Sequence, residues 1–168
     1  MSNTVNNIRD ISNSIDLGPT GSLQFQFAKL QLAMAEISKN GAMSYIDQIQ
    51  ESQEEQKKVA DMLQRRRQLQ ADAKKDDKCT TMPTDVKDYM DKNKLAYDTK
   101  GDIMTHNKDE WEVAITSLKA HQDKLGSNTQ QLMVFVQDYM GQYNSYLQGS
   151  NSAIQQGNQT LGELAKVR

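Results

Sequence analysis

Cysteine occurs once in this chain, at Cys79, so an internal disulfide is excluded and the fold must be held by packing alone. Proline occurs twice and glycine nine times in 168 residues, fewer than strand-and-turn folds use. Apolar residues make up 36% and aromatics 6%, below the usual share, which argues against a thick globular core and for a thin seam between elongated helices. No stretch approaches the roughly 18 consecutive apolar residues of a membrane span. Residues 1–21 lack the basic start and apolar centre of a Sec signal peptide. Nor is there charge of one sign. Twenty Lys and Arg face 22 Asp and Glu, a net charge of −2, so no global attraction draws the chain to nucleic acid or an acidic membrane.

Motifs that carry chemistry are missing as well. There is no phosphate-binding glycine loop, no nucleophile elbow and no Cys/His pattern at metal spacing. Cys79, His106 and His121 stand apart in sequence and are expected at the surface. Arg65, Arg66 and Arg67 read as a solvated helix face, diluted by Glu51, Glu54 and Glu55. Asp109 and Glu110 suit a helix N-terminus, where the macrodipole favours carboxylates. The expectation is a non-enzyme with no cofactor, no metal and no nucleic-acid partner.

What is present is helical periodicity. Residues 1–21, rich in Asn and Ser and broken by Gly18, Pro19 and Gly21, read as a flexible leader. Residues 22–78 form a first long helix, with no proline and a single glycine, Gly41. Leu23, Phe27, Leu30, Met34 and Ile37 mark one face of it by spacings of three and four. Residues 79–107 form a connector in which Pro83 opens a short helix with Val86, Tyr89 and Met90 on one side. Residues 108–168 form a second long helix, where Asn107 and Glu110 match a capping pair. One heptad register then runs through Trp111, Leu118, Leu125, Leu132, Tyr139, Tyr146 and Ala153. Ile115, Gln122, Thr129, Val136, Tyr143, Ser150, Gly157 and Leu164 take the companion positions.

These elements predict an all-α fold, a long antiparallel helical hairpin of coiled-coil character with a small connector subdomain. A hairpin uses one apolar stripe per helix, yet the first helix has a second beside the first, through Phe25, Ala28, Leu32 and Ala35. The second helix likewise adds Met133, Phe135 and Met140 to its seam residues. Helices apolar on several sides expect more than one neighbour. The candidate self-association residues are therefore Phe25, Phe27, Leu30, Met34 and Ile37 on the first helix. On the second they are Leu132, Phe135, Val136, Tyr139, Tyr143, Leu161 and Leu164. Gly149, Gly157 and Gly162 each cost about 1 kcal/mol relative to Ala, so the end of the second helix is expected to be weakly ordered until assembly stabilises it. A monomeric bundle that folds its ends inward is the alternative.

The layout resembles the EspA/SseB-like hydrophilic translocators of type III secretion systems. LQFQFAKLQLAMAEISKN passing into QIQESQEEQKKVADM is similar to that family's apolar first helix and its charged continuation. MPTDVKDYMDKNKL is similar to its short P-x-x-V-x-x-Y-(M/I) segment, with Pro83, Val86, Tyr89 and Met90 in the matching places. The resemblance implies a secreted subunit that self-assembles into a needle filament or tip and forms a conduit for effectors. It also implies an uncleaved N-terminal export signal in residues 1–21 and a location outside a bacterium. The implied partners are copies of the chain, the secretion needle, translocon proteins and a cytosolic chaperone before export. A cytosolic coiled-coil adaptor or secretion chaperone that does not polymerise is the other reading of the same residues.

Overall fold

The structure, a computed structural model, describes residues 11, 15, 23–76, 79–99 and 104–166. The leader, apart from Ile11 and Ile15, lies outside the described residues, as do Gly101 and Asp102 of the connector. The fold is an all-α hairpin: two long helices, α1 (Leu23–Asp76) and α3 (Lys108–Lys166), pack antiparallel. Between them come α2 (Thr84–Lys92) and two short strands, β1 (Thr80–Thr81) and β2 (Thr105–His106), paired antiparallel with Thr80 opposite His106. The strands carry no periodic signal at two residues each, so only their pairing makes them visible.

Local chemistry explains the element ends. At the start of α3 the Asn107 side-chain oxygen accepts from the backbone N–H of Asp109 and Glu110 at 2.9 and 3.0 Å. The Glu110 carboxylate accepts from the Asn107 N–H at 2.7 Å, completing a reciprocal capping box. Pro83 precedes α2 in an extended conformation, and its carbonyl accepts from the N–H groups of Val86 and Lys87. At the other end of α2 the Leu95 N–H donates to the Met90 carbonyl, while Lys94 adopts a left-handed φ of 56°. This is a Schellman-type stop with lysine where glycine is usual.

Contacts divide the chain into two compact units, Met1–Asp47 with Leu132–Arg168, and Gln48–Gln131. The second unit holds the larger apolar core. Val59 and Leu63 from α1, Met82, Val86 and Met90 from the connector, and Trp111, Ile115 and Leu118 from α3 are buried together. The Trp111 indole N–H donates to Thr80 Oγ1 at 2.8 Å, and the Thr80 hydroxyl donates to the Leu69 carbonyl at 3.1 Å, tying β1 to both helices. A polar layer follows along this helix pair: Ser52 and Thr129 hydroxyls meet at 2.9 Å, and Gln56 donates to Thr129 at 3.1 Å.

The first unit is built from small residues. Ala28, Ala35, Ser38 and Ala42 of α1 are buried, as are Ser150, Ala153 and Gly157 of α3. A Cβ at Gly157 would stand 3.1 Å from the Phe25 ring, and one at Gly41 would stand 2.6 Å from the Tyr139 ring. Glycine at these two positions lets an aromatic ring lie directly on the opposing backbone. Tyr45 stacks on Phe135 at 5.3 Å and tilts against Tyr139 at 5.8 Å.

Candidate interaction surface

The small residues inside the first unit displace the large ones outward. The two stripes on α1 are not equivalent: Phe25, Ala28, Leu32 and Ala35 face α3, with Phe25 and the alanines buried. Leu23, Phe27 and Leu30 on the other stripe are 79%, 48% and 44% exposed. Met34 and Ile37 continue that stripe half-buried. Helical spacing shows both stripes but does not choose between them. The choice follows from size, because alanine allows the closest helix approach and therefore the densest packing.

On α3 the heptad register marks the least exposed line. Trp111, Leu118, Thr129, Ser150, Ala153 and Gly157 are buried, and Leu125, Leu132, Val136, Tyr139, Tyr143 and Tyr146 are half-buried. The exception is Leu164, which is 63% exposed. Every described residue from Asn158 to Lys166 is exposed, and α3 nevertheless continues unbroken through Gly162. Phe135, Met133, Val134 and Met140 stand exposed beside the seam.

The candidate self-association residues thus separate by position. Phe25 is engaged within the chain, against Gly157. Leu132, Val136, Tyr139 and Tyr143 belong to the seam of the hairpin and are half covered by it. Phe27, Leu30, Phe135, Leu161 and Leu164 remain open to solvent, with Met34 and Ile37 at the margin. Met43, Ile46 and Val134 are exposed apolar side chains that are not among the candidate self-association residues.

The titratable residues need two corrections. His106, expected at the surface, is buried, with its ring 5.1 Å from Trp111 and 6.4 Å from Tyr97. Arg66, expected on a solvated face, is fully buried, with its guanidinium 5.5 Å from the Trp111 ring centroid. The three side-chain nitrogens of Arg66 make no hydrogen bond. Burial lowers its pKa to about 10, and Asp85 pulls it partly back. A run of three arginines on a helix necessarily spreads over most of a turn, so one of them turns inward where the connector covers α1.

Of the others, Cys79 is exposed, and His121 lies 3.1 Å from the Tyr89 hydroxyl. The Tyr89 phenol is held above its usual range by burial and then by Glu55. Asp91 accepts from Tyr97 and Lys87, both at 2.6 Å, and the Lys87 and then the Tyr97 hydrogen bonds hold its carboxyl below the usual range. The Asp91 contacts pin the connector to itself, whereas Tyr89 reaches His121 of α3. Among the described residues no three His, Cys, Asp or Glu gather as a metal-binding group, and no helix is long and apolar enough to cross a membrane. Comparison with known proteins finds no family model, no curated protein and no solved structure that matches this chain.

Proposed function

We propose that this chain is a structural, self-assembling subunit whose first unit mediates contacts between copies. One observation carries the reading. Among the described residues, the exposed large apolar side chains are Leu23, Phe27, Leu30, Met43, Ile46, Met133, Val134, Phe135, Met140, Leu161 and Leu164, all in the first unit, with Val113 alone in the second. Patches of this kind mark interaction surfaces, because water-exposed apolar area is a free-energy reserve of roughly 25 cal/mol per Å².

Charge supports the same reading. Between 23 and 47 the charged residues are Lys29, Glu36, Lys39 and Asp47, and between 132 and 166 they are Asp138, Glu163 and Lys166. The two signs nearly cancel, so copies of this unit meet without electrostatic repulsion. The polar, charge-rich stretches of 48–131 surround the enclosed core of the second unit and suit a solvated body.

Joined to the resemblance noted in the sequence, the specific proposal is a needle filament or tip subunit of a type III secretion system. In that role it is exported without cleavage and held by a chaperone beforehand. It then assembles on the needle, next to translocon proteins, into a conduit for effectors. The test is electron microscopy and sedimentation of the purified full-length chain over a concentration series, together with its appearance in the medium under secretion-inducing conditions. Fibres or closed rings with export are expected. A chain that stays monomeric and inside the cell would instead be the helix-binding adaptor or chaperone.

A further inference from the structure

One groove beside the α1–α3 seam of the first unit already has an occupant. Leu32 and Ala35 of α1 and Tyr143 and Leu147 of α3 line it together with Ile11 and Ile15, which come from the leader. Both isoleucines are half-buried, as are Leu32, Tyr143 and Leu147, and Ile11 has helical backbone. The residues around them, Asp10, Ser12, Asn13, Ser14 and Asp16, are all polar. The apolar side chains at this place in the leader are thus the two that meet the groove.

The length of chain between this groove and α1 fits a return. Residues 16–22 join Ile15 to Leu23, and fully extended they span at most about 29 Å. Leu32 and Ala35 lie only roughly 14–18 Å along the helix axis from Leu23. Gly18, Pro19 and Gly21 in the join are the residue types that a reversal uses. The leader is therefore long enough to lie back on the helix it precedes.

We propose that the leader is an intramolecular strap: Ile11 and Ile15 close this side of the seam in the single chain and lift off it reversibly. A small contact and a short tether set that balance. Two half-buried isoleucines bind weakly by themselves, yet a short tether holds them at an effective concentration on the order of millimolar. Closure wins by a modest margin, and the strap opens locally while the α1–α3 pair stays intact. A second apolar helix reaches Tyr143 and Leu147 from this side only when the strap is up, because one groove holds one occupant. The strap belongs to the single chain, so it goes beyond the self-assembly reading and does not depend on it.

Thiol labelling of the full-length chain is the test. Cys79 is exposed, so Cys79→Ser removes the native thiol, and Leu147→Cys places a reporter under the strap. Met140→Cys, at an exposed position outside the groove lining, is the control reporter. Each is labelled with an aromatic disulfide reagent at a dilution where sedimentation velocity finds only monomer. Ile11 and Ile15 are left intact, both changed to Asp, or both changed to Leu. The Asp pair should speed labelling of the Leu147→Cys thiol by about tenfold or more. Apolar contact is lost, and Glu36, which also lines the groove, repels the new carboxylates. The Leu pair should keep that labelling slow, while the Met140→Cys thiol and the helicity by circular dichroism stay unchanged in both. Equal labelling of the Leu147→Cys thiol in all three backgrounds overturns the strap, as does a Leu pair that labels as fast as the Asp pair. Acceleration of both reporters overturns it too, since the leader would then support the helix pair rather than cover it. Because only monomer is measured, none of these results bears on the self-assembly reading.

Discussion

Arg66 is the residue least in keeping with its surroundings. Its guanidinium is buried with no hydrogen bond, its favourable interactions being with the Trp111 face and the Asp85 charge. Replacing a buried charge with an apolar side chain of similar length commonly stabilises, because the desolvation penalty disappears. Arg66→Met should raise the unfolding free energy by about 1 kcal/mol or more in urea melts; a loss instead would mean the stacking on Trp111 outweighs desolvation. Lys94 is the second such residue, with its φ of 56° at the stop of α2. Left-handed backbone disfavours any side chain by roughly 1–2 kcal/mol, partly offset by the greater freedom glycine has when unfolded. Lys94→Gly should therefore stabilise by about 0.5–1 kcal/mol, measured in the same melts. Asp91 adds a pH dependence. Its folded pKa is lowered, so its contribution is present above the ordinary carboxylate range and lost as pH falls through the lowered value. Hydrogen exchange in 84–97, corrected for the intrinsic rate, should accelerate on that acid limb, and Asp91→Asn should remove the effect.

The two long helices show how the same residue type carries opposite consequences at different positions. Gly162 has nothing within 4 Å of where a Cβ would lie, so Gly162→Ala should stabilise the helix by roughly 0.5–1 kcal/mol through backbone entropy. Gly41 in α1 has the same intrinsic preference for replacement but faces the Tyr139 ring at 2.6 Å. Gly41→Ala should destabilise by about 1–3 kcal/mol as Tyr139 and its neighbour Tyr45 are pushed aside. Thermal melts of the pair provide the check. If both substitutions stabilise, the close ring-on-backbone approach is not maintained in solution.

For the whole molecule, the unequal distribution of apolar residues sets different stabilities for the two units. The second encloses Trp111, Met82, Val86, Met90 and Leu118 around its own centre. The first buries mainly alanine, serine and glycine, each with little apolar area, and leaves the larger side chains outside. Burying a large apolar side chain contributes roughly 1.5–3 kcal/mol, so assembly adds far more to the first unit than to the second. Amide protection in 23–47 and 149–166 should increase with protein concentration, while protection in 108–125 stays constant. Concentration-independent exchange throughout would favour a self-contained monomer.

Much of this architecture is legible without coordinates. The capping pair Asn107/Glu110, the Pro83 start of α2 and the heptad register from Trp111 to Gly157 all appear where spacing puts them, because caps and helix periods are local properties of a few neighbouring residues. Candidate surface residues such as Phe27, Leu30, Leu161 and Leu164 were legible as apolar, though not as exposed. Exposure is settled by which of two adjacent stripes can approach α3 more closely, and the alanines on the Phe25 stripe decide that contest. The inward turn of Arg66 and His106 was equally out of reach. Both depend on the connector folding over α1 and α3 through the Thr80–Trp111 and Thr80–Leu69 hydrogen bonds. Local chemistry therefore determined the helices and their ends by itself, whereas side-chain size and the long-range return of the connector decided what those helices bury and what they leave for a partner.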